Sequence, residues 1–329
     1  MPRLIPPHHP LLALMASRRC CRFTLRSGVS LLLFILLLPQ VPAAAELIDQ
    51  DGTRIVFDRP FSRIISLYPA HTENLVELGA TEQIIGVSRG DNPAAVRGKE
   101  IFSDADSAEK FLAAAPDLVL VRPMISRSHP ALLARLRDSG ITVVSLQPTD
   151  VKGMFAYWQT LGDLTGRAAA AQSMRTRFLA GVAAIERKIP IADHGRRPGV
   201  YVEAIHAKMK TFSPASITIY AVETAGGRNI ATDARPRNRS NIAEYGKEHI
   251  IARAAEIDIF LSQTGRMNAI DIDTLKAEPG FELIKAFKDN RVYLIEETLV
   301  SRPTPRLLTG IEQLHRLFYP QPPTTGHRQ

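Results

Sequence analysis

The stretch VKGMFAYWQTLGDLTGRAAAAQSMRTRFLAGVAAIERKI, residues 151–189, decides how the rest of the chain is read. Val151, Phe155, Trp158 and Leu161, then Met174, Phe178, Val182, Ile185 and Ile189, recur at the three- and four-residue intervals of an amphipathic helix. Gly162 and Gly166 interrupt this stripe, and Thr165 stands where it would cap the segment that follows. From 167 to 188 the Ala-, Arg- and Met-rich composition favours helix. At 1.5 Å per residue that segment spans roughly 33 Å, about the width of a small domain. On each side lies a block in which short apolar runs alternate with helical patterns. A long helix between two α/β blocks reads as a spacer between lobes, with a cleft between them.

The chain has 329 residues, 45% hydrophobic and 22% charged, which suits a globular protein of one to three domains. Its formal charge of +8 suggests nucleic acid, but the first stretch carries much of it. Arg3, Arg18, Arg19, Arg22 and Arg26 all precede the first acid, Glu46; without them 36 basic residues face 33 acidic ones, a net of +3. That stretch has the pattern of an export signal: a basic region, an apolar run over 29–38 too short to span a bilayer comfortably, then Pro39 and Ala43-Ala44-Ala45. Met15 is an alternative start. Cys20 and Cys21 precede the apolar run, so neither is a lipid-bearing cysteine at the cleavage site. The expected mature protein is soluble, periplasmic, not a lipoprotein, and free of disulfide or thiol chemistry.

Beyond the signal, Asp51-Gly52 marks a turn before a strand over 54–57. Residues 64–67 have the pattern of a buried strand, and Pro69 opens a helix carrying Thr72, Glu73, Leu75, Val76 and Leu78 that stops at Gly79. Strands follow at 84–87, 118–121 and 141–146, with helices after Ser107 and over 131–138. This alternation implies a parallel sheet covered on both faces. After a polar link over 193–198 the rhythm resumes: strands at 199–202, 257–261 and 292–295, helices at 217–224, 281–288 and 307–318. The expected organisation is 1–45 signal peptide, 46–150 first α/β lobe, 151–189 helical spacer, 190–320 second α/β lobe and 321–329 loose tail. In each block a glutamate, Glu109 or Glu248, opens a short helix that runs into an apolar strand. An acid there is favoured by about 0.3–1 kcal/mol through the helix dipole alone.

Several of these segments together resemble one family. Arg63-Ile64-Ile65-Ser66-Leu67 with Pro69 and Thr72-Glu73 belong to the pattern, as does the Glu109 helix leading into Pro116-Asp117-Leu118-Val119. So do the helical spacer, Ala225-Gly226-Gly227-Arg228-Asn229-Ile230, the Glu248 segment and Asn290-Arg291-Val292-Tyr293. Over nearly all of residues 46–320 the chain is similar to the periplasmic substrate-binding proteins of ABC importers for ferric siderophores, vitamin B12 and haem. The resemblance implies two Rossmann-like lobes with mainly parallel sheets, joined by a single long α-helix, with the ligand cleft between them. It also implies that Glu109 and Glu248 dock to arginines of an inner-membrane permease dimer. The expected binder is a monomer that takes a small-molecule iron chelate or corrinoid, with no nucleic acid partner and no resident cofactor.

No nucleophile elbow, phosphate-cradling glycine loop or dinucleotide fingerprint is present, and His71, His129, His194, His206, His249 and His315 lack the spacing of a zinc site. An enzyme is therefore not expected; the rival class is an exported α/β enzyme or chelatase-like protein with a dispersed site. Ligands of open α/β sheets bind beyond the carboxyl ends of the strands. The loops there contain Tyr68, Arg89, Arg122, Glu203, Gln263, Thr264 and Arg302, and the basic loop with Arg235, Arg237 and Arg239 is placed to reach the cleft mouth. Arginine's planar fork suits carboxylate, catecholate or phosphate oxygens, so an anionic ligand is expected. Against a corrin, the only tryptophan, Trp158, lies on the spacer stripe, and Gly90 and Ser103 stand where the resemblance implies aromatic residues in the B12 binders of the family. For haem, Tyr68 and His71 are the available axial groups. A ferric siderophore or ferric citrate is the first choice of ligand, vitamin B12 the second.

Overall fold

The computed structural model describes residues 44–94, 96–190, 196–236 and 240–320. Residues 1–43 of the export signal, the first half of the polar link with His194, Arg237 and Arg239, and the tail 321–329 lie outside the described residues. A short antiparallel hairpin, β1 (Ala45–Ile48) and β2 (Arg54–Phe57), precedes the first lobe. That lobe then runs β3 (Ile64–Ser66), α1 (Pro69–Glu77), β4 (Ile84–Ser88), β5 (Glu100–Phe102), α2 (Ala108–Ala113), β6 (Leu118–Val121), α3 (Pro123–Ser128), α4 (Pro130–Asp138) and β7 (Thr142–Ser145). Its five strands are all parallel, in the order β5-β4-β3-β6-β7. The interior strand β6, Leu-Val-Leu-Val, is buried at every position, as a parallel strand under helices on both faces must be. Prolines open α1, α3 and α4, where a fixed φ helps and the missing N–H has no intrahelical partner to lose.

The connecting region is two helices rather than one, α5 (Val151–Thr165) and α6 (Ala168–Glu186). The Asp150 carboxylate caps α5, accepting from the Gly153 N–H at 2.6 Å. At the other end Gly166 takes a left-handed φ of 70°, which terminates the helix. Thr165 caps nothing: its hydroxyl donates to the Leu161 carbonyl at 2.7 Å inside α5. Gly162 is likewise interior to α5, its bare backbone admitting the Ala171 side chain of α6. The long helix of the pair is α6, 19 residues and about 28 Å.

The second lobe contains β8 (Gly199–Ile205), β9 (Lys210–Phe212), α7 (Ile217–Thr224), β10 (Arg228–Asn229), β11 (Arg235–Pro236), β12 (Ile242–Glu244), α8 (Lys247–Ala252) and β13 (Ile259–Thr264). There follow α9 (Ile272–Ala277), α10 (Lys285–Lys288), β14 (Val292–Glu296), α11 (Glu297–Val300) and α12 (Leu307–Phe318). The sheets are mainly parallel, as expected, but the second carries an antiparallel extension. Strands β10, β8, β13 and β14 run parallel, but β9, β12 and β11 extend the sheet with antiparallel pairings. The chain turns back on itself through a one-turn 3₁₀ segment, His206–Lys208, and so short a connection between neighbouring strands forces them antiparallel. The helix expected over 281–288 is split into a turn, Phe281–Leu283, and α10 by the buried, extended Ile284.

One apolar cluster runs through both lobes. Leu75 and Leu118 of the first lobe and Val200 and Ile311 of the second share it with Met154, Trp158 and Leu161 of α5 and Met174, Phe178 and Val182 of α6. The rings of Phe155, Trp158 and Phe178 meet edge to face at centroid separations of 5.5–5.9 Å. Such pairs contribute about 0.5–1.5 kcal/mol beyond simple burial. The connecting helices are therefore part of the core, and the lobes are built onto them. Gly166 is the pivot of that arrangement, because a Cβ there would lie 2.8 Å from the Pro60 ring as well as forcing a left-handed backbone. Gly166→Ala is expected to cost about 1–2 kcal/mol from the backbone alone. A urea-unfolding midpoint equal to that of the wild type would contradict it.

Candidate functional site

Strand β3 delivers the chain to Tyr68, which precedes α1 at the lobe boundary. The half-buried Tyr68 ring lies edge-on to His71 at 5.1 Å and beneath the Arg122 guanidinium, whose carbon is 4.9 Å from the ring centre. Burial pushes the Tyr68 hydroxyl's pKa up, while the charges of Arg122 and Arg302 pull it back. His71 is fully buried, with Nε2 at 2.9 Å from the Val121 carbonyl and Nδ1 at 2.6 Å from the Tyr157 hydroxyl. The carbonyl can only accept, so Nε2 carries the proton and Tyr157 donates to Nδ1. Both ring nitrogens are thus in use, which corrects the reading of His71 as an available axial group.

The opposite wall comes from the second lobe. Strand β13 ends at Gln263 and Thr264, and the turn after it carries Arg266 across to the first lobe. A side chain begun at Gly90 would meet the Arg266 guanidinium at 3.4 Å and the Pro69 ring at 3.2 Å. Gln263 is buried; its side-chain oxygen accepts from the Ser301 hydroxyl, which lies 3.1 Å from that of Thr218. The Glu297 carboxylate packs over Gly265. Arg302 reaches back over the boundary, its Nη1 2.6 Å from Oε1 of Glu73 on α1.

Of the residues singled out in the sequence, Tyr68, Arg122 and Arg302 come together, since the charges of both arginines act on the Tyr68 hydroxyl. Gln263 lies buried behind the second wall, Thr264 is partly buried beside it, and Arg89 is exposed next to Gly90. Glu203 lies elsewhere. It is buried within the second lobe, accepting from the Ser262 hydroxyl at 2.7 Å and facing His206 Nδ1 at 2.9 Å. That hydrogen bond, more than any other influence, raises the pKa of His206. Arg235 is exposed on β11, the edge of the sheet and four strands from β13, roughly 19 Å at the usual strand spacing. Arg237 lies outside the described residues. Sequence reasoning named Glu73 on its helix but not as a site residue, and passed over Arg266 and Glu297. Arg266 sits just beyond a strand end, where the signal was available; Glu73 and Glu297 carry no local mark.

Glu109 and Glu248 are both exposed in the first turns of α2 and α8, each leading towards an interior strand, β6 or β13. Glu109 also pairs with Arg135 of α4 at 2.7 Å, in the open. Its carboxyl pKa is lowered by the backbone N–H of its own helix start, then by Ser107 and Arg135. Among the described residues no group of three His, Cys, Asp or Glu side chains is arranged to hold a metal ion. No described helix is long and apolar enough to cross a membrane.

Two lobes share one helical core, with polar side chains of each facing the other at their boundary. The chain belongs to the periplasmic binding protein family, whose pattern it matches over residues 64–299. That is a family of binding proteins, not of enzymes. The chain is similar to a cobalamin-binding protein of Halobacterium salinarum, 25% identical over 277 residues that cover 82% of this chain and 73% of that protein. It is also similar to an uncharacterised ABC transporter substrate-binding lipoprotein of Bacillus subtilis, 24% identical over 292 residues covering 83% and 84%. Among solved structures it superposes on a possible iron-binding periplasmic solute-binding protein from Staphylococcus epidermidis. The TM-score is 0.69 and the identity 28%, over 79% of this chain and all of that one.

The buried His71 makes stability depend on pH. Burial, reinforced by Arg122 and opposed by the Val121 carbonyl, pushes its pKa down to about 4. The unfolded histidine binds a proton below about pH 6.5, the folded one only below about 4, so between these values the unfolded chain holds more protons. Stability therefore falls as pH drops from about 6.5 to 4, by about 3 kcal/mol from this residue, and His71 adds no slope above that window. Urea titrations of wild type and His71→Gln across pH 4–7 test this. The variant's stability should fall less steeply, and parallel curves would contradict the assignment.

Proposed function

We propose that this protein is the substrate-capturing component of an ABC importer. It takes a ferric siderophore or similar anionic iron chelate between its lobes and passes it to an inner-membrane permease. The observation that carries the anionic reading is a guanidinium from each lobe beside neighbouring parts of the first lobe: Arg122 over the Tyr68 ring, and Arg266 against Gly90, which itself adjoins Pro69. Both are partly or wholly exposed, and neither is held in a salt bridge within 4 Å among the described residues. Guanidinium groups suit the carboxylate, catecholate or hydroxamate oxygens at the rim of such a chelate. The chelate is cargo, and the binder works as a monomer in the periplasm, released there by cleavage near Glu46. A corrinoid is the second reading, favoured by the similarity to the Halobacterium salinarum cobalamin-binding protein. Against it, Trp158 is buried in the core and cannot stack on a corrin face.

Calorimetric titration with ferric citrate, ferrichrome, cyanocobalamin and haemin separates these readings. A ferric chelate is expected to bind, and Arg122→Ala with Arg266→Ala should weaken it by at least about 2 kcal/mol, since hydrogen bonds to charged groups contribute about 1.5–3 kcal/mol each. Binding of cyanocobalamin alone would replace the first reading with the second.

Glu109 and Glu248 supply the permease contact, one acid on each lobe meeting an arginine of each permease subunit. Replacing both by Ala should leave ligand affinity unchanged and abolish most uptake in vesicles containing the cognate permease; Lys should be worse than Ala, because like charges then face each other. Normal uptake by the double variant would exclude this role.

A further inference from the structure

Arg302 already holds a carboxylate. Its pair with Glu73 spans the lobe boundary, and the two side chains are only 15% and 18% exposed. The same Glu73 oxygen lies 3.7 Å from Nη1 of Arg306, at the foot of α12. The other oxygen, Oε2, is buried and has no hydrogen-bond partner. Nor has the hydroxyl of Thr304, a residue with no exposed surface. Both residues line a cavity of about 190 Å³ between α1, the segment around Asp91 and the start of α12, with Val76 and Pro305 as apolar wall. An acceptor without a donor, a hydroxyl without a partner, a second arginine and empty space all converge on one carboxylate.

We propose that Glu73 is a two-position residue that sets the specificity of the cleft. In the empty cleft it holds Arg302. When an anionic ligand takes Arg302, Glu73 turns into the cavity, where Thr304 donates to its free oxygen and Arg306 keeps its charge paired. Neither carboxylate nor guanidinium is then left buried and alone, the state that makes breaking such a pair costly. A neutral ligand offers Arg302 no charge in exchange, so the same movement strands it. Glu73 thereby selects against neutral ligands, an opposing element of the kind specificity requires. Thr72 and Asp91, also on the cavity wall, stay where they are, held by Ser66 and Ser88.

The inference rests on the reading of the cargo as an anionic chelate, and ferric citrate with the neutral hydroxamate chelate ferrichrome tests both. Glu73→Gln should tighten ferric citrate about tenfold, the worth of one charged hydrogen bond no longer competed for. Ferrichrome, which in the wild type cannot draw Arg302 away from Glu73, should tighten by more than ferric citrate does, so that the preference for the anion narrows. Thr304→Val is nearly isosteric and removes a hydroxyl with no partner to lose. It should weaken ferric citrate several-fold in the wild type, yet have no effect in the Glu73→Gln background, which has no carboxylate to receive. Equal affinities for ferric citrate in wild type and Glu73→Gln would overturn the switch and leave the proposed function standing. If neither probe binds wild type or Glu73→Gln, the anionic-chelate reading fails and the switch falls with it. Should Glu73→Gln not fold, Thr304→Val decides alone: unchanged affinity overturns the proposal.

Discussion

A single backbone carbonyl, that of Pro303, governs how the two lobes meet. It accepts the Trp158 indole N–H at 2.9 Å and the Asn74 side-chain N–H at 3.0 Å, using both of its lone pairs. Trp158 belongs to α5, Asn74 to α1 and Pro303 to the segment that leads into α12. All three groups are buried. Pulling the lobes apart at this point leaves two buried donors unsatisfied, at about 1–3 kcal/mol each. It also tears an apolar cluster continuous across the boundary. Wide opening at this junction is therefore opposed. Arg302 precedes Pro303 directly and Glu73 precedes Asn74, so the same junction brings their side chains face to face.

Buried polar groups perform a similar task further out. In the first lobe His71 links Tyr157 of α5 to the Val121 carbonyl, immediately before Arg122. In the second, Asn268 donates to Ser262 and to the Gln263 carbonyl and accepts from the His206 N–H, which fixes the turn that carries Arg266. Glu203 completes that network through Ser262 and His206. Each cleft arginine thus stands on a loop pinned from below by a satisfied polar cluster. Such clusters are costly when incomplete, so they specify one loop position over others. Glu203 is therefore joined to the Arg266 turn through Ser262 and Asn268.

These relations explain which parts of the architecture could be read from the sequence. Helices α7 and α12 and strand β6 stand where periodicity puts them, because the pattern of a helix face or a doubly buried strand is local. The break in the spacer was visible only as two glycines. Gly166 ends α5 and Gly162 does not, a difference set by Ala171 and Pro60, which one-dimensional spacing cannot weigh. Strands β9 and β12 are three residues each, too short to show alternation, so the antiparallel half of the second sheet was missed. The placement of Tyr68 and Arg122 was legible by the strand-end rule because each stands just beyond the carboxyl end of a strand, β3 or β6. Glu203 fails that rule because β8 is buried on both faces, and a period of two then says nothing about which side chains reach solvent.

The character of the cleft depends on pairings between distant parts of the chain. Glu73 and Arg302 are 229 positions apart, and nothing local marks either as the other's partner. Counting arginines near strand ends therefore overstates the positive charge offered to a ligand, since Arg302 arrives already neutralised. Arg122 and Arg266 differ from it in having an aromatic ring and a backbone for neighbours in place of a carboxylate. A guanidinium on an aromatic face keeps its N–H groups directed outward and loses little by binding an anion, whereas one in a buried pair must first give up its acid. The arginines thus divide into two that have no carboxylate partner among the described residues and one that is already paired. That division is written in the packing of α1 against the start of α12, not in composition.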